Sequence, residues 1–270
     1  MTQQHRQIGD LIKEWRGRRR LSQLDLALEA GISQRHLSFV ESGRSAPSRD
    51  MVETLAETLS LPLRERNILL LSAGFAPAYA ARQLTDPAMR VAHQAVQQVL
   101  KAHEPNPALA VDRGWNLVMA NAAVAPLLGL VSDASLLQGK INVLRVSLHP
   151  DGLAPYILDL PQWKAHLLHR LGKQIEATAD AGLIALEKEL AAYPAREKKG
   201  AISRRPEETD AIALPLELMV GGQKLAFITT ITIFGTPVDV TLSELAVEAF
   251  FPADAETAAA MAAMMKSRAN

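Results

Sequence analysis

The sequence predicts an α+β protein: an all-α bundle of five helices, then a domain built on an antiparallel sheet of about five strands with a helical insert. Three observations carry this prediction. Apolar residues recur at helical spacing from Ile8 to Gly74 with turn residues between the runs. Period-two runs flank Gly221-Gly222 towards the other end, and an apolar helical stripe from Pro161 to Tyr193 separates two groups of strands. At 270 residues the chain exceeds one small bundle and has room for a second domain.

The first helix is expected from Ile8 to Arg20, with Ile8, Leu11, Ile12 and Trp15 on one face and charges on the other. Ser22 and Ser33 are N-cap residues ahead of two further runs, and Gly31 between them is where the chain must turn. Leu24, Ala27 and Leu28 are expected to face inward from one of these helices, Leu37 and Val40 from the next. Two short helices joined by a tight turn, Ser22 to Gly43, form the pattern of a DNA reader, but helices this short need a supporting bundle. Pro47-Ser48 opens a fourth helix carrying Met51, Val52, Leu55, Ala56 and Leu59, and Pro62 starts a fifth that Gly74 ends.

Ser72 to Pro87, rich in Gly, Ala and Pro, breaks the helical pattern. The expected division is 1–76, a linker and connecting helix over 77–104 with Val91, Ala95, Val96, Val99 and Leu100 on one face, and a second domain over 105–270. In that domain Leu109 to Asp112 and Asn116 to Met119 read as strands around Arg113-Gly114, and Asn121 opens a short helix, Ala122 to Leu128. The insert carries Trp163, Leu167, Leu168, Leu171 and Ile175 as its stripe. Ala211 to Val220 and Lys224 to Phe234 form a hairpin, and Val238 to Phe251 reads as a strand whose apolar phase slips at Ser243-Glu244, as a bulge would make it.

Composition excludes several classes of function. The chain is 48% hydrophobic and 21% charged, which is globular. No apolar run approaches the ~20 residues of a membrane span, so no membrane partner is expected, and the polar N-terminus is not expected to be a signal peptide. With no cysteine, disulfides, thiolate metal sites and cysteine nucleophiles are ruled out, which fits a cytoplasmic location. The zero net charge divides unevenly: residues 1–82 hold 12 Lys+Arg against 9 Asp+Glu, net +3, and the remainder holds 17 against 20, net −3. His166 and His169, three apart on a helix, can share a face, and Glu187 lies on the next helix, but no third ligand at telling spacing accompanies them. Ser243-Glu244 and Ser203-Arg204 make no nucleophile elbow, and Gly221-Gly222 lacks the strand-to-helix setting of a phosphate loop. No enzyme activity, catalytic residue, metal or cofactor is therefore expected.

SQLDLALEAGIS followed by QRHLSFVESGRSAPS resembles the helix-turn-helix of the Xre/lambda-repressor family. The resemblance implies that the second helix of the motif lies in the major groove of double-stranded operator DNA, with Gln34, Arg35, Ser38 and Phe39 facing the bases and Leu37 and Val40 facing the core. The chemistry agrees: glutamine pairs bidentately with adenine, arginine with guanine, and phenylalanine covers a thymine methyl. It also implies phosphate contacts from Ser22, Gln23, Ser33 and Arg44, with Arg49 near them, and an internal ion pair between Arg16 and Glu41. The run Arg16, Arg18, Arg19, Arg20 reads either as a solvated helix end or as further DNA contacts, and His36 as a surface or phosphate-contacting residue. Family members bind as homodimers, and the modest charge of the head fits that requirement.

NPALAVDRGWNLVMANAA, NVLRVSLHPDGLAPYILDLPQW and FGTPVDVTLSELAVEAFFPAD resemble the MmyB-like ligand-binding domain, and with LPLRERNILLLSAGFAP the likeness runs over nearly the whole chain, most loosely at Arg196 to Thr209. It implies a PAS-like domain that binds a small-molecule effector, a fatty acid in one relative. Trp115, Asn121, Trp163, Phe227 and Phe250 are the candidate ligand-binding residues, with Ile231, Ile233 and Phe251 as further apolar lining. Arg145 and His149 are the candidates for holding a carboxylate, which is costly to bury alone. The aromatic residues read equally as plain core, and Arg145 as a partner of Asp151 or Asp159. The expected function is a ligand-responsive transcription regulator, a repressor and a homodimer; the alternative is a constitutive regulator whose second domain only dimerises or recruits a protein.

Overall fold

The computed structural model describes residues 6–195 and 214–269; the charged stretch Arg196 to Thr209, with Ser203, and the start of the strand expected from Ala211 lie outside them. The chain forms two compact units, residues 1–82 with 236–243, and residues 83–235 with 244–270.

Five helices build the first unit: α1 (Ile8–Arg18), α2 (Gln23–Glu29), α3 (Gln34–Glu41), α4 (Arg49–Thr58) and α5 (Leu63–Ser72). Their starts follow the capping logic. The Ser22 hydroxyl accepts the Asp25 amide while the Asp25 carboxylate accepts the Ser22 amide, and Ser33 and Ser48 cap α3 and α4 through the amides of His36 and Met51. Gly31 and Gly74 take positive φ where α2 and α5 end. Leu11, Ile12, Trp15, Leu37, Val40, Val52, Leu55, Leu59 and Leu69 are buried.

One expectation is corrected here. Leu24 and Leu28 are 58% and 78% exposed, and α2 instead buries Leu26 and Ala27 with Ala30 behind them. α1 and α3 pack tightly at Gly9, where an added Cβ would lie 2.5 Å from the Glu41 carbonyl oxygen.

The second unit begins with α6 (Arg90–Ala102) and centres on one five-stranded antiparallel sheet. The strands are β1 (Ala108–Val111), β2 (Leu117–Ala120), β3 (Leu216–Val220), β4 (Gln223–Ile233) and β5 (Ala246–Pro252), in spatial order β2-β1-β5-β4-β3. Between β2 and β3 run α7 (Ala125–Leu128), α8 (Val143–Leu148), α9 (Leu160–Thr178) and α10 (Ala181–Ala192), the last two forming the expected insert. Gly221 and Gly222 both take positive φ, as the tight β3–β4 turn requires.

The strand expected from Val238 to Phe251 is shorter than predicted. Residues 240–243 form a helical turn, α11 (Val240–Ser243), and β5 starts only at Ala246, so the apolar phase changes because the backbone changes type and not through a bulge. Residues 236–243 belong to the first unit, where the Val240 amide donates to the Ala80 carbonyl at 2.8 Å and the buried Asp239 carboxylate receives Arg82 at 3.2 Å. The chain closes with α12 (Ala255–Ala269).

Register separates the two sheet faces, because directly paired residues point the same way. One face carries Leu109, Val111, Leu216, Leu218, Leu225 and Phe227, which join Trp115, Trp163, Leu167 and Leu171 in a single core. The other face is met by α6, where His103 packs edge-on against Phe251 at 4.6 Å. Val96 and Leu100 are buried on α6, but Val91 and Val99 are exposed, so only part of its expected apolar face is used.

Candidate functional site

The DNA-reading candidate is the exposed side of α3. Leu37 and Val40 are fully buried beneath it, which fixes the rotation of the helix and leaves Gln34 and Arg35 exposed and Ser38 and Phe39 partly so. Arg35 lies over the Phe39 ring at 5.4 Å, so two of the four expected reading residues already support one another. Arg44 is exposed just beyond the helix. Ser22 and Ser33 accept backbone amides through their oxygens, which leaves each hydroxyl hydrogen available to donate. Gln23 donates one amide hydrogen to Glu41 at 2.6 Å and keeps the other.

Glu41 organises this corner. Its carboxylate is 3% exposed and receives Arg16 through Nε at 2.7 Å and Nη2 at 3.1 Å, besides Gln23. The expected ion pair between α1 and the end of α3 is therefore present, and it also places Gln23.

Of the basic run, Arg16 further donates to the Leu21 carbonyl, Arg18 pairs with Glu14, and Arg19 donates to the carbonyls of Leu59 and Ser60. These partners tie three of the four arginines to the bundle itself. Arg49 is tied to Glu53 and the Ala76 carbonyl, and His36 is half-buried on α3.

The structure separates the candidate effector residues into two groups. Trp115, Trp163, Phe227 and Phe250 share the core side of the sheet, with Phe250 edge-on to Phe227 at 6.3 Å. Trp115 sits at positive φ and donates its indole N–H to Gln174 at 2.7 Å, and Trp163 donates to Ser147 and stacks on His166. By parity Ile231 and Ile233 are on this side too, whereas Phe251 points to the opposite face. Asn121 is buried and fully occupied, accepting the Ala108 amide and donating to the carbonyls of Leu100 and Asn106.

Arg145 and His149 lie elsewhere. Arg145 grips Glu189 on α10 through Nε at 2.7 Å and Nη2 at 2.8 Å, and neither Asp151 nor Asp159 is its partner. That hydrogen bonding holds Glu189 below the usual carboxylate range. Tyr193 donates to the same carboxylate at 2.6 Å, and burial together with that bond pushes its phenol up to about 12. His149 meets Tyr193 edge-on at 5.1 Å and takes the Asp151 amide on Nδ1.

Sequence reasoning missed Arg170 and Glu248. Glu248, on β5, is 6% exposed on the core side of the sheet and receives Arg170 Nη1 from α9 at 3.1 Å, while the Arg170 guanidinium lies 4.7 Å above the Trp115 ring. The signal available was the single carboxylate in the apolar run AVEAFF, at the parity of the core. Among the described residues, no group of three or more His, Asp or Glu is arranged to hold a metal ion, and no helix is long and apolar enough to cross a membrane.

Comparison with known families completes the description. The model of the MmyB-like transcription regulator ligand binding domain matches residues 92–264, well over half of the chain, and a helix-turn-helix model matches residues 12–66. No curated protein matches the chain.

Proposed function

The chain belongs to the family of the MmyB-like transcription regulator ligand binding domain, carried behind a helix-turn-helix, and on that premise we propose that it is a homodimeric, ligand-responsive repressor. That it is a DNA-binding transcription regulator with a ligand-binding domain follows from the two matches together. The finer reading rests chiefly on α3, whose buried Leu37 and Val40 hold Gln34 and Arg35 outward while Ser33 caps its start. In this reading Gln34, Arg35, Ser38 and Phe39 read bases; Ser22, Gln23, Ser33 and Arg44 hold phosphates; and the second unit binds an apolar, fatty-acid-like effector near Trp115, Trp163, Phe227 and Phe250. The protein acts in the cytoplasm and catalyses no reaction.

Two copies on a two-fold operator must present their recognition helices about one DNA turn apart, or a multiple of it. An effector that binds two arrangements of the dimer unequally shifts that spacing, and so the affinity for DNA. Native mass spectrometry of the protein purified from its source tests dimerisation and bound effector together. Operator affinity is then measured with and without that molecule. An unchanged constant removes the sensing role and leaves the second unit as a dimerisation or interaction module. On the DNA side, Arg35→Ala is expected to cost about 1–3 kcal/mol and relax one operator position, and Gln23→Ala to weaken all sequences alike. Equal losses on operator and random DNA for Arg35→Ala refute its base-reading role.

A further inference from the structure

We propose that Arg170 is the acid-group anchor of the effector site, taking the carboxylate of an amphiphilic organic acid whose apolar part lies along the uncovered core-side face of β4. This rests on the sensing role proposed above and specifies its chemistry.

The first observation is an unused charged donor. Arg170 is held on three sides: Nη1 donates to Glu248, the guanidinium plane covers the Trp115 ring, and the α9 backbone fixes its root. Among the described residues its Nη2 is buried with no hydrogen-bond partner. A guanidinium stays charged throughout the physiological range, so this N–H cannot lower its cost by losing a proton. A buried charged donor without an acceptor is unfavourable, and an incoming carboxylate relieves that cost. Arg145 differs: Nε and Nη2 grip Glu189, and its side chain is 41% exposed, so its remaining donors reach water.

The second observation is an apolar surface on the same side of the sheet. Glu248 is directly paired with Leu109 on β1 and with Ile231 on β4, so all three side chains project towards the core. Leu109 is buried, but Ile231 is 46% exposed and Ile233, two residues on, is 68% exposed. Helices therefore cover the β1 side of this face and leave the far half of β4 open. A strip of isoleucine begins beside the Arg170–Glu248 pair, so exposed apolar surface adjoins the unpaired donor. His166, one turn before Arg170, is driven towards its neutral form by burial and by the charges of Arg170 and His169, so it does not offer a competing cation. Trp115 holds a positive φ directly beneath the guanidinium, a conformation that non-glycine residues adopt at a cost and that recurs at ligand clamps.

The test uses the full-length protein stripped of lipid, titrated calorimetrically with decanoic acid and with decan-1-ol. The wild type is expected to bind the acid at least tenfold more tightly than the alcohol, the usual worth of a hydrogen bond to a charged group. Arg170→Gln is expected to bring the two within about threefold, and Lys173→Gln, an exposed charge removed from the same helix, to leave the preference intact. Arg170→Gln strands the buried Glu248, so Arg170→Gln/Glu248→Gln, which leaves no unpaired charge, is tested beside it with the same expectation. An acid preference that survives in both variants, or that disappears in Arg145→Gln instead, overturns the assignment. Equal binding of acid and alcohol by the wild type overturns the anchor but spares the apolar effector site. Binding of neither overturns both.

Discussion

Glu41 is the residue whose removal most directly tests how the reading head is held together. Its carboxylate accepts three N–H groups, two from Arg16 and one from Gln23, and is 3% exposed, while the Arg16 side chain is 15% exposed. Glu41→Ala strands the Arg16 guanidinium against the bundle with only the Leu21 carbonyl and partial access to water. Removing one partner of a buried pair costs about 3–5 kcal/mol, and the remaining contacts of Arg16 place this case near 3 kcal/mol. Hydrogen exchange of the full chain, resolved into peptides across residues 8–45, reads the loss locally. At one decade per 1.4 kcal/mol, protected amides of α1 and α3 are expected to exchange about a hundredfold faster. Arg16→Met/Glu41→Met removes both charges and is expected to recover most of the loss, since apolar pairs commonly replace buried ion pairs at little cost. A slowdown or an acceleration below about fivefold for Glu41→Ala, or a double variant no better than the single one, refutes the reasoning.

Gly9→Ala places a Cβ 2.5 Å from the Glu41 carbonyl, a backbone atom that cannot step aside, so α1 must move from α3; a loss of about 1–3 kcal/mol is expected, and an unchanged melting temperature contradicts it. Asn121→Ala removes an acceptor for the Ala108 amide and a donor to two carbonyls, at about 2–3 kcal/mol in urea unfolding. Normal stability with weakened effector binding would return Asn121 to a ligand role. His166 takes up its proton at a lower pH folded than unfolded, because burial and the nearby Arg170 and His169 oppose its charge. The unfolded chain therefore binds more protons in between, and stability falls as pH drops below about 6.5 until the folded value is reached. Between pH 7.5 and 5.5 the urea midpoint of the wild type is expected to fall further than that of His166→Asn; equal falls remove His166 from the explanation.

The elements written in local punctuation were legible in the sequence. Ser22 and Ser33 cap where they were expected to, Pro47-Ser48 opens α4, Gly31 and Gly221-Gly222 turn the chain, and the five strands form one antiparallel sheet. What failed was phase in short pieces. In α2, with Leu24, Leu26, Ala27 and Leu28 spread around seven residues, periodicity does not single out a face; packing against α3 and α4 selects Leu26 and Ala27. At Val238 to Phe251 a helical turn and a strand both present apolar residues, and a period-two reading merges them. Polar partnerships were the least legible. Arg145 meets Glu189 and Arg170 meets Glu248 across 44 and 78 residues, separations bridged by the packing of α8 on α10 and of α9 on the sheet and not by local spacing. The exposed side of α3 was recoverable because the buried and exposed residues of one helix alternate within a single turn. The core face of the second unit depends on the whole sheet.

Because residues 236–243 complete the first unit, the DNA-reading head is assembled from two distant parts of the chain. The ribosome delivers Ile8 to Arg82 first, then makes the residues up to Thr236 over on the order of ten seconds before Asp239 reaches Arg82. The head thus receives its last piece only after β1 to β4 have been made. A newly synthesised chain gains its complete first unit at nearly the same moment as its sheet, because residues 8–82 alone lack the Asp239 partner of Arg82.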